Sequence, residues 1–183
     1  MRRLVSALLV VVCLGARADD VARLPGVSTW ITASRLVHVE ARLDPALPAG
    51  VERRLVSGLP TTIVWRLRLY VFRNTWFDTE QDERRYAVTA TYRPVTGDYA
   101  IERRLDDRLL ETRIVSSRDD ARRAISEVPG VPCFTLKADL SGKRLVVKVK
   151  CLYAAGVTLG VVPTTAETDW VRSGIFDWTE PPR

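Results

Sequence analysis

Basic and aromatic side chains that alternate along one segment are the residues of this chain best suited to binding chemistry. Across residues 62–73 every second side chain is apolar, and the side chains between them include Arg66, Arg68, Tyr70 and Phe72. Because successive side chains of a strand point to opposite faces, these four share one face. Guanidinium groups stack on aromatic rings and pair with carboxylates. The pattern predicts a partly solvated surface at these four residues that contacts a ligand or partner.

A second aromatic group lies near the C-terminus, where Trp170, Phe176 and Trp178 come close together in the sequence. On one regular strand the three side chains share a face, and both faces of that strand mix apolar and polar groups. Such a strand lies at a sheet edge or bends, and Gly174 is the natural place for a bend. Two interpretations stay open. Either the rings anchor the core, as large aromatics usually do, or they form a groove or edge that receives a partner.

The chain carries no arrangement of residues typical of catalysis. His38 is the only histidine, and the alternation around it places it on a polar face with Glu40 and Arg42. A catalytic base needs a nucleophile and an orienting partner, and no Gly-x-Ser-x-Gly motif accompanies this histidine. No loop holds enough acids for calcium, which takes roughly six to eight oxygens. We therefore predict no catalytic residue, no metal site and no cofactor.

The elements that must position these residues follow an N-terminal segment with the order of a secretory signal peptide. Arg2 and Arg3 precede an apolar run over residues 4–14, and Ala16 and Ala18 form a small-residue cleavage site. The run is too short to remain as a membrane-spanning helix. The sequence predicts a signal peptide over residues 1–18 and an exported protein, periplasmic or secreted, with no transmembrane segment after cleavage.

Two other interpretations of this N-terminus remain open, namely a lipoprotein signal at Cys13 and an uncleaved anchor. Cleavage after Ala18 would leave a flexible leader over residues 19–28. It would also remove three of the 28 basic residues and so halve the formal net charge of +6. The remaining arginines are mostly interleaved with acids, which is typical of a solvated face. The basic composition therefore does not indicate a nucleic-acid partner.

Cys133 and Cys151 are the cysteines left after cleavage, and an even number in an oxidising compartment predicts a disulfide. We place both in a hairpin over residues 132–152 that turns at Ser141-Gly142 and pairs Phe134 with Val149. In that register the two thiols point to opposite faces, so a bulge must restore the match. The oxidising compartment favours the disulfide, whereas the orientation of the two side chains in this hairpin opposes it.

The remaining alternation predicts a single β-rich domain over residues 29–180. We expect seven to eight strands and two short helices, over residues 46–56, with Asp44 as cap, and residues 118–127, capped by Ser116-Ser117. Hairpin spacing and half-polar faces favour an antiparallel β-sandwich, with a β-barrel as the alternative.

Several of these segments resemble a family of exported, proteobacterial-type proteins that is known as a domain of unknown function. The likeness covers roughly residues 35–178. It rests on Ser57-Gly58-Leu59-Pro60, Leu69-Tyr70-Val71-Phe72-Arg73, Trp76-x-Asp78, the aromatic residues from Tyr86 to Tyr92 with Tyr99, and Asp169-Trp170-x-x-Ser173 with Trp178. The resemblance implies export and a coherent fold and assigns no activity, and the two cysteines are not part of its pattern.

Two functional hypotheses from different classes follow. The first is a non-enzymatic binding or assembly module of the cell envelope whose partner is another envelope protein. The second is a carrier of an apolar ligand or lipid in a β cavity lined by Trp65, Leu67, Tyr86 and Val88. A hydrolase ranks third because no catalytic set supports it.

Overall fold

The structure is a computed structural model that describes residues 22–44, 47–74, 77–158 and 162–180. It contains two helices, one short 3-10 turn (Ala138–Leu140) and eleven strands within those ranges. The helices are α1 (Ala49–Val56) and α2 (Arg118–Ile125). The strands are β1 (Val27–Ile31), β2 (Leu36–Arg42), β3 (Thr61–Val71), β4 (Thr79–Arg93), β5 (Asp98–Leu105), β6 (Arg108–Val115), β7 (Glu127–Thr135), β8 (Lys143–Thr158), β9 (Val162–Glu167), β10 (Val171–Arg172) and β11 (Phe176–Trp178).

The strands form two antiparallel sheets. The small sheet has the order β1-β2-β7, and the large, eight-stranded sheet follows the path β10-β8-β3-β4-β5-β6, with β9 and β11 also pairing with β8. The prediction of a mainly β, antiparallel fold with two helices is confirmed, and neither described sheet closes into a barrel. More strands form than we predicted because the long β8 pairs along one edge with three short segments in succession.

One face of the large sheet forms the core together with the small sheet and both helices. Ile63, Trp65, Leu67 and Leu69 of β3 are at most 1% exposed and lie in the same apolar cluster as residues of β2, β7, α1 and α2. Their period of two is the alternation seen in the sequence. We call this the inner face of the large sheet. No described helix or strand covers the opposite, outer face.

The two helices begin differently from each other. The hydroxyl of Ser117 accepts a hydrogen bond from the backbone N–H of Asp120 at the start of α2, so the predicted cap of this helix is present. Helix α1 begins later than we predicted, after Pro48, with no side-chain cap. Asp44 pairs through its backbone with Arg23 instead, which makes its predicted role as a cap wrong.

The predicted hairpin over residues 132–152 is wrong, because its two strands lie in different sheets. Strand β7 pairs with β2, whereas β8 pairs with β3. Phe134 therefore lies opposite Val37, and Val149 lies opposite Leu67. Both strands have apolar alternation, and alternation alone does not tell whether two strands share a sheet or face each other across a core.

The predicted disulfide between Cys133 and Cys151 is absent, and both residues are buried free thiols. The hairpin that was to bring them together does not form. The Cys133 thiol donates to the carbonyl oxygen of Val131 at 3.2 Å. Burial raises the pKa of Cys133 to about 12 and raises the pKa of Cys151 as well. Both groups are therefore neutral thiols near pH 7, the form that does not attack disulfides.

The N-terminal part of the chain joins the fold earlier than expected. The predicted signal peptide and residues 19–21 lie outside the described residues. Of the predicted flexible leader, Ala22 and Leu24 are buried, and the N–H of Ala22 donates to the hydroxyl of Tyr153 at 3.1 Å. The folded unit thus begins no later than Ala22. No helix within the described ranges is both long enough and apolar enough to cross a membrane.

Candidate binding face

The residues that the sequence singled out on β3 lie on the outer face of the large sheet beside basic residues of β8. In the β3–β8 ladder Arg66 lies opposite Lys150, Arg68 opposite Lys148, and Tyr70 opposite Val146. Cross-strand neighbours on one face of an antiparallel pair are close enough for long side chains to interact. Alternation on two neighbouring strands therefore builds one surface of cations and aromatic rings.

Three aromatic rings on this surface each contact at least one cation. Arg68 and Lys150 lie 4.7 Å and 5.4 Å from the ring centroid of Trp170. Lys148 lies 4.4 Å from the ring of Tyr70. These separations are in the range of favourable cation–π contacts.

Phe72 carries the third contact and has two arginines over its ring. Arg144 lies 4.9 Å and Arg172 5.8 Å from its centroid. We call the whole surface the aromatic–basic face, which consists of Arg66, Arg68, Tyr70, Phe72, Arg144, Lys148, Lys150, Trp170 and Arg172. Its three rings are half-buried, so each still presents area to solvent.

Carboxylates hold most of these cations in place. Glu83 binds Arg66 at 2.6 Å and Arg68 at 3.0 Å, so one carboxylate orients two neighbouring guanidiniums. Lys148 binds Asp78 at 2.8 Å. The hydrogen bond from Lys148 holds the pKa of Asp78 below its ordinary value. Arg66, Arg68 and Lys148 thus project in fixed directions rather than moving freely in solvent.

The two arginines at Phe72 differ from the rest of the face. Arg144 donates to the side-chain oxygen of Asn74 at 3.2 Å. Neither Arg144 nor Arg172 forms an ion pair in the part of the chain that the structure describes, and Arg172 acts on Asp78 only at longer range, where its charge adds to the effect of Lys148 in lowering the pKa of that carboxyl. Both are exposed. This end of the aromatic–basic face can therefore accept an additional anionic group.

A groove of about 520 Å³ adjoins the other end of the face. Val64, Leu152 and Ala154 give it an apolar floor, and Arg66 belongs both to its wall and to the aromatic–basic face. The outer face therefore combines an apolar recess, a row of cation–aromatic stacks and two exposed arginines that form no ion pair among the described residues.

The C-terminal aromatic residues divide between the two faces. Trp170 lies on the outer face with Arg68, whereas Trp178 is 7% exposed and belongs to the core cluster. Phe176 is half-buried and packs against the same core. Of the seven predicted contact residues, five thus meet on one face, and the other two contact the core.

His38 lies away from this face, on the small sheet. Its Nδ1 lies 2.9 Å from the carbonyl oxygen of Gly130, and its ring stacks on that of Trp30 with 5.2 Å between centroids. Neither contact orients a nucleophile. We therefore ascribe no chemistry to His38.

Sequence reasoning missed the contribution of β8 to the face. Arg144, Lys148 and Lys150 alternate with apolar residues, which is the same signal that identified β3. The predicted hairpin pairs β8 with β7, so it gave no reason to expect β8 beside β3. The pairing of the two strands is a long-range property that the local pattern does not encode.

A comparison with protein-family models supplies the family of this chain. The model for a domain of unknown function, DUF4390, matches residues 31–154. The chain belongs to the DUF4390 family. Comparison with curated proteins and comparison with solved structures each gave no match.

The DUF4390 match confirms the predicted resemblance to a domain of unknown function. It covers β3 and every residue of β8 that pairs with β3, and hence most of the aromatic–basic face. Trp170 and Arg172 follow the matched range. In this DUF4390 protein the C-terminal segment adds the ring of Trp170 and the guanidinium of Arg172 to a surface that the matched residues build.

Proposed function

We propose that this DUF4390 protein is a non-enzymatic binding module of the cell envelope that holds an acidic polypeptide segment of a partner protein on its aromatic–basic face. The observation that carries the proposal is the convergence of the predicted contact residues on an outer face that no described element covers. Convergence of Arg66, Arg68, Tyr70, Phe72 and Trp170 is expected of a contact surface. Interfaces between proteins are enriched in aromatic residues and arginine.

The partner chemistry follows from what the face leaves unsatisfied. Arg144 and Arg172 offer guanidinium donors to carboxylates, and both lie near the ring of the half-buried Phe72. The groove beside Val64 and Leu152 accommodates apolar side chains. An extended segment that alternates acidic and apolar residues matches both features, because its successive side chains reach different parts of the surface.

The core supports a binding module over a carrier of an apolar ligand. Trp65, Leu67, Tyr86 and Val88, the residues expected to line a ligand cavity, are all 0% exposed and belong to one packed cluster. A ligand among them would have to displace close-packed side chains, which is costly. The outer groove requires no such displacement.

The location of the module rests on the sequence. Arg2 and Arg3, the apolar run and the Ala16-Arg17-Ala18 site support export with cleavage after Ala18. N-terminal sequencing of the protein isolated from its host should begin at Asp19. Recovery of protein that begins at Met1 in the membrane fraction would instead show that the N-terminal segment is retained as an anchor.

The binding proposal can be tested with synthetic peptides of alternating composition. Fluorescein-labelled Glu-Phe repeats are titrated with the purified protein and followed by anisotropy, and Lys-Phe repeats serve as the charge control. We expect Glu-Phe peptides to bind and Lys-Phe peptides not to bind. Arg144→Glu with Arg172→Glu should weaken Glu-Phe binding at least about tenfold, since two charge-assisted contacts become repulsive.

The matched control is Arg53→Glu on α1 together with Arg42→Glu on β2, two exposed residues outside the large sheet. It makes the same change in net charge away from the face and should leave affinity near that of the unchanged protein. Equal loss in this control would mean that net charge alone attracts the peptide. Undiminished binding in the doubly substituted variant at Arg144 and Arg172 would overturn the assignment of the face.

A further inference from the structure

Strand β6, at the outer end of the large sheet, has a free edge. Strand β6 pairs with β5, and no described strand pairs with its other side. Every residue of β6 except Val115 is exposed. Leu109, Leu110 and Ile114 are 49%, 45% and 47% exposed. Unpaired backbone groups beside exposed apolar side chains form a template for another strand.

The sequence of β6 is nearly symmetric about Thr112. Glu111 and Arg113 flank Thr112, Leu110 and Ile114 come next, and Leu109 and Val115 follow. In an antiparallel pair of two copies centred on Thr112, each Glu111 lies opposite an Arg113, and each Leu110 lies opposite an Ile114. The strand is therefore complementary to itself in charge and in apolar character.

Other registers lose this complementarity. A two-fold axis perpendicular to the sheet keeps each side chain on its own face of the sheet. Because directly opposed residues share a face and successive residues do not, the axis must lie between the two copies of one residue. An axis at Glu111 would place that carboxylate against its own copy, and an axis at Arg113 would do the same with two guanidiniums. Like charges directly opposite each other destabilise a strand pair. Charge thus favours the register centred on Thr112 over both neighbouring registers, and it is the register that gives Glu111 and Arg113 a partner of opposite sign.

We propose that β6 pairs antiparallel with β6 of a second copy of this chain, around a two-fold axis at Thr112, and so joins two large sheets into one. This contact is separate from the aromatic–basic face and does not depend on the function proposed for that face. An isologous pair of this kind closes on itself and adds no further free edge at β6.

The contacts within one copy fit this arrangement. Glu111 accepts a hydrogen bond from Arg103 of β5 at 2.8 Å, so its carboxylate has one partner on the paired side of β6, and a carboxylate can accept from a second guanidinium across the free edge. Arg113 has no ion-pair partner among the residues that the structure describes. In the dimer, each Arg113 gains the carboxylate of the other copy. Strand β6 shifts register against β5 near Leu110, so the regular pairs that we expect join residues 111–113 of the two copies, with Leu110 and Ile114 flanking them.

Charge reversal tests the register. In Arg113→Glu, each Glu111 carboxylate would face the carboxylate introduced into the other copy, and in Glu111→Arg only guanidiniums would meet. We expect the unchanged protein to be dimeric by sedimentation velocity at micromolar concentration and each single variant to be monomeric there. An equimolar mixture of the two variants should dimerise, because every cross-strand pair is then of opposite sign.

A cysteine test locates the axis. Directly opposed residues of an antiparallel pair have Cα atoms about 4.5–5.5 Å apart, which suits a disulfide. Thr112→Cys should therefore cross-link under mild oxidant. Ile114→Cys is the matched control, since its two copies would lie about 14 Å apart along the strands. The buried native thiols Cys133 and Cys151 should not compete.

Three results would overturn the proposal. The first is a monomer at every concentration tested. The second is a dimer that persists in both Glu111→Arg and Arg113→Glu, which would place the contact on another surface. The third is cross-linking of Ile114→Cys as fast as that of Thr112→Cys. Circular dichroism and thermal unfolding of each variant distinguish loss of pairing from loss of the fold.

Discussion

Individual side chains acquire their roles in this protein from small changes of register. Trp170 and Trp178 would share a face on a regular strand. In the structure Val171 lies opposite Val149, but Phe176 lies opposite Leu145. The register of the C-terminal segment against β8 therefore shifts by one residue between β10 and β11. That extra residue places Trp170 against Arg68 outside and Trp178 in the core.

The two tryptophans should consequently respond differently to truncation. Trp178→Ala removes a ring that is 7% exposed, and we expect the free energy of unfolding to fall by about 3–5 kcal/mol. Trp170→Ala removes a half-buried ring that contacts cations, and its cost should stay near or below about 1 kcal/mol. Thermal or urea unfolding of both variants measures this. Equal losses would show that Trp170 is also a core anchor.

The cysteines give a second residue-level expectation. Both thiols are buried and their pKa values are raised, so the native protein should not react with a thiol reagent at pH 8. After unfolding in urea without reductant, both Cys133 and Cys151 should be labelled. Mass spectrometry counts the labels. Failure to label the unfolded, unreduced protein would demonstrate the disulfide that the structure lacks.

At the scale of elements, local alternation predicts strands well and their partners poorly. The patterns around Val39, Leu67 and Val88 identified β2, β3 and β4, because each buries one face. The β7–β8 hairpin failed because a 3-10 turn over Ala138–Leu140 carries the chain from the small sheet to the large one. No local sequence pattern around this turn indicates that the chain passes from one sheet to the other.

The candidate site was predictable to the same extent. The alternation on β3 was sufficient to identify Arg66, Arg68, Tyr70 and Phe72 as one face. Their neighbours on β8 depended on a pairing between segments far apart in the sequence. The separation of Trp170 from Trp178 depended on a one-residue change of register between β10 and β11, which no local pattern in the sequence predicts.

A glycine in β7 provides a prediction for an element. Gly130 has φ +67°, and a Cβ there would lie 2.5 Å from Cη2 of Trp30. Gly130→Ala must therefore adopt a strained backbone and push the Trp30 ring off His38. We expect a loss of more than about 1 kcal/mol and a changed His38 ring signal in NMR spectra.

Gly142 gives the matched control for this change. Its φ is +72°, and nothing lies within 4 Å of the Cβ that alanine would add. Gly142→Ala should show the backbone cost, about 1 kcal/mol, without any change at His38. An identical loss in both variants, with the His38 signal unmoved, would mean that the Trp30 contact contributes nothing to stability.

At the scale of the whole molecule, the two sheets depend on one core. Val37 and Val39 of β2 are fully buried in the same cluster as Trp65 and Leu67 of β3. Neither sheet has a separate apolar interior among the described residues. Elements that bury each other's apolar faces lose that burial together, so we expect one cooperative transition.

Amide hydrogen exchange tests this cooperativity. Val39→Ala removes two buried carbons from the small sheet and should lower global stability by about 2 kcal/mol. If the sheets unfold together, the exchange free energy of the Leu67 amide in the large sheet must fall by the same amount as that of the Val37 amide. Val95→Ala, at a residue 97% exposed, should change neither. A fall confined to the small sheet would mean that the large sheet, with its aromatic–basic face, is stable without it.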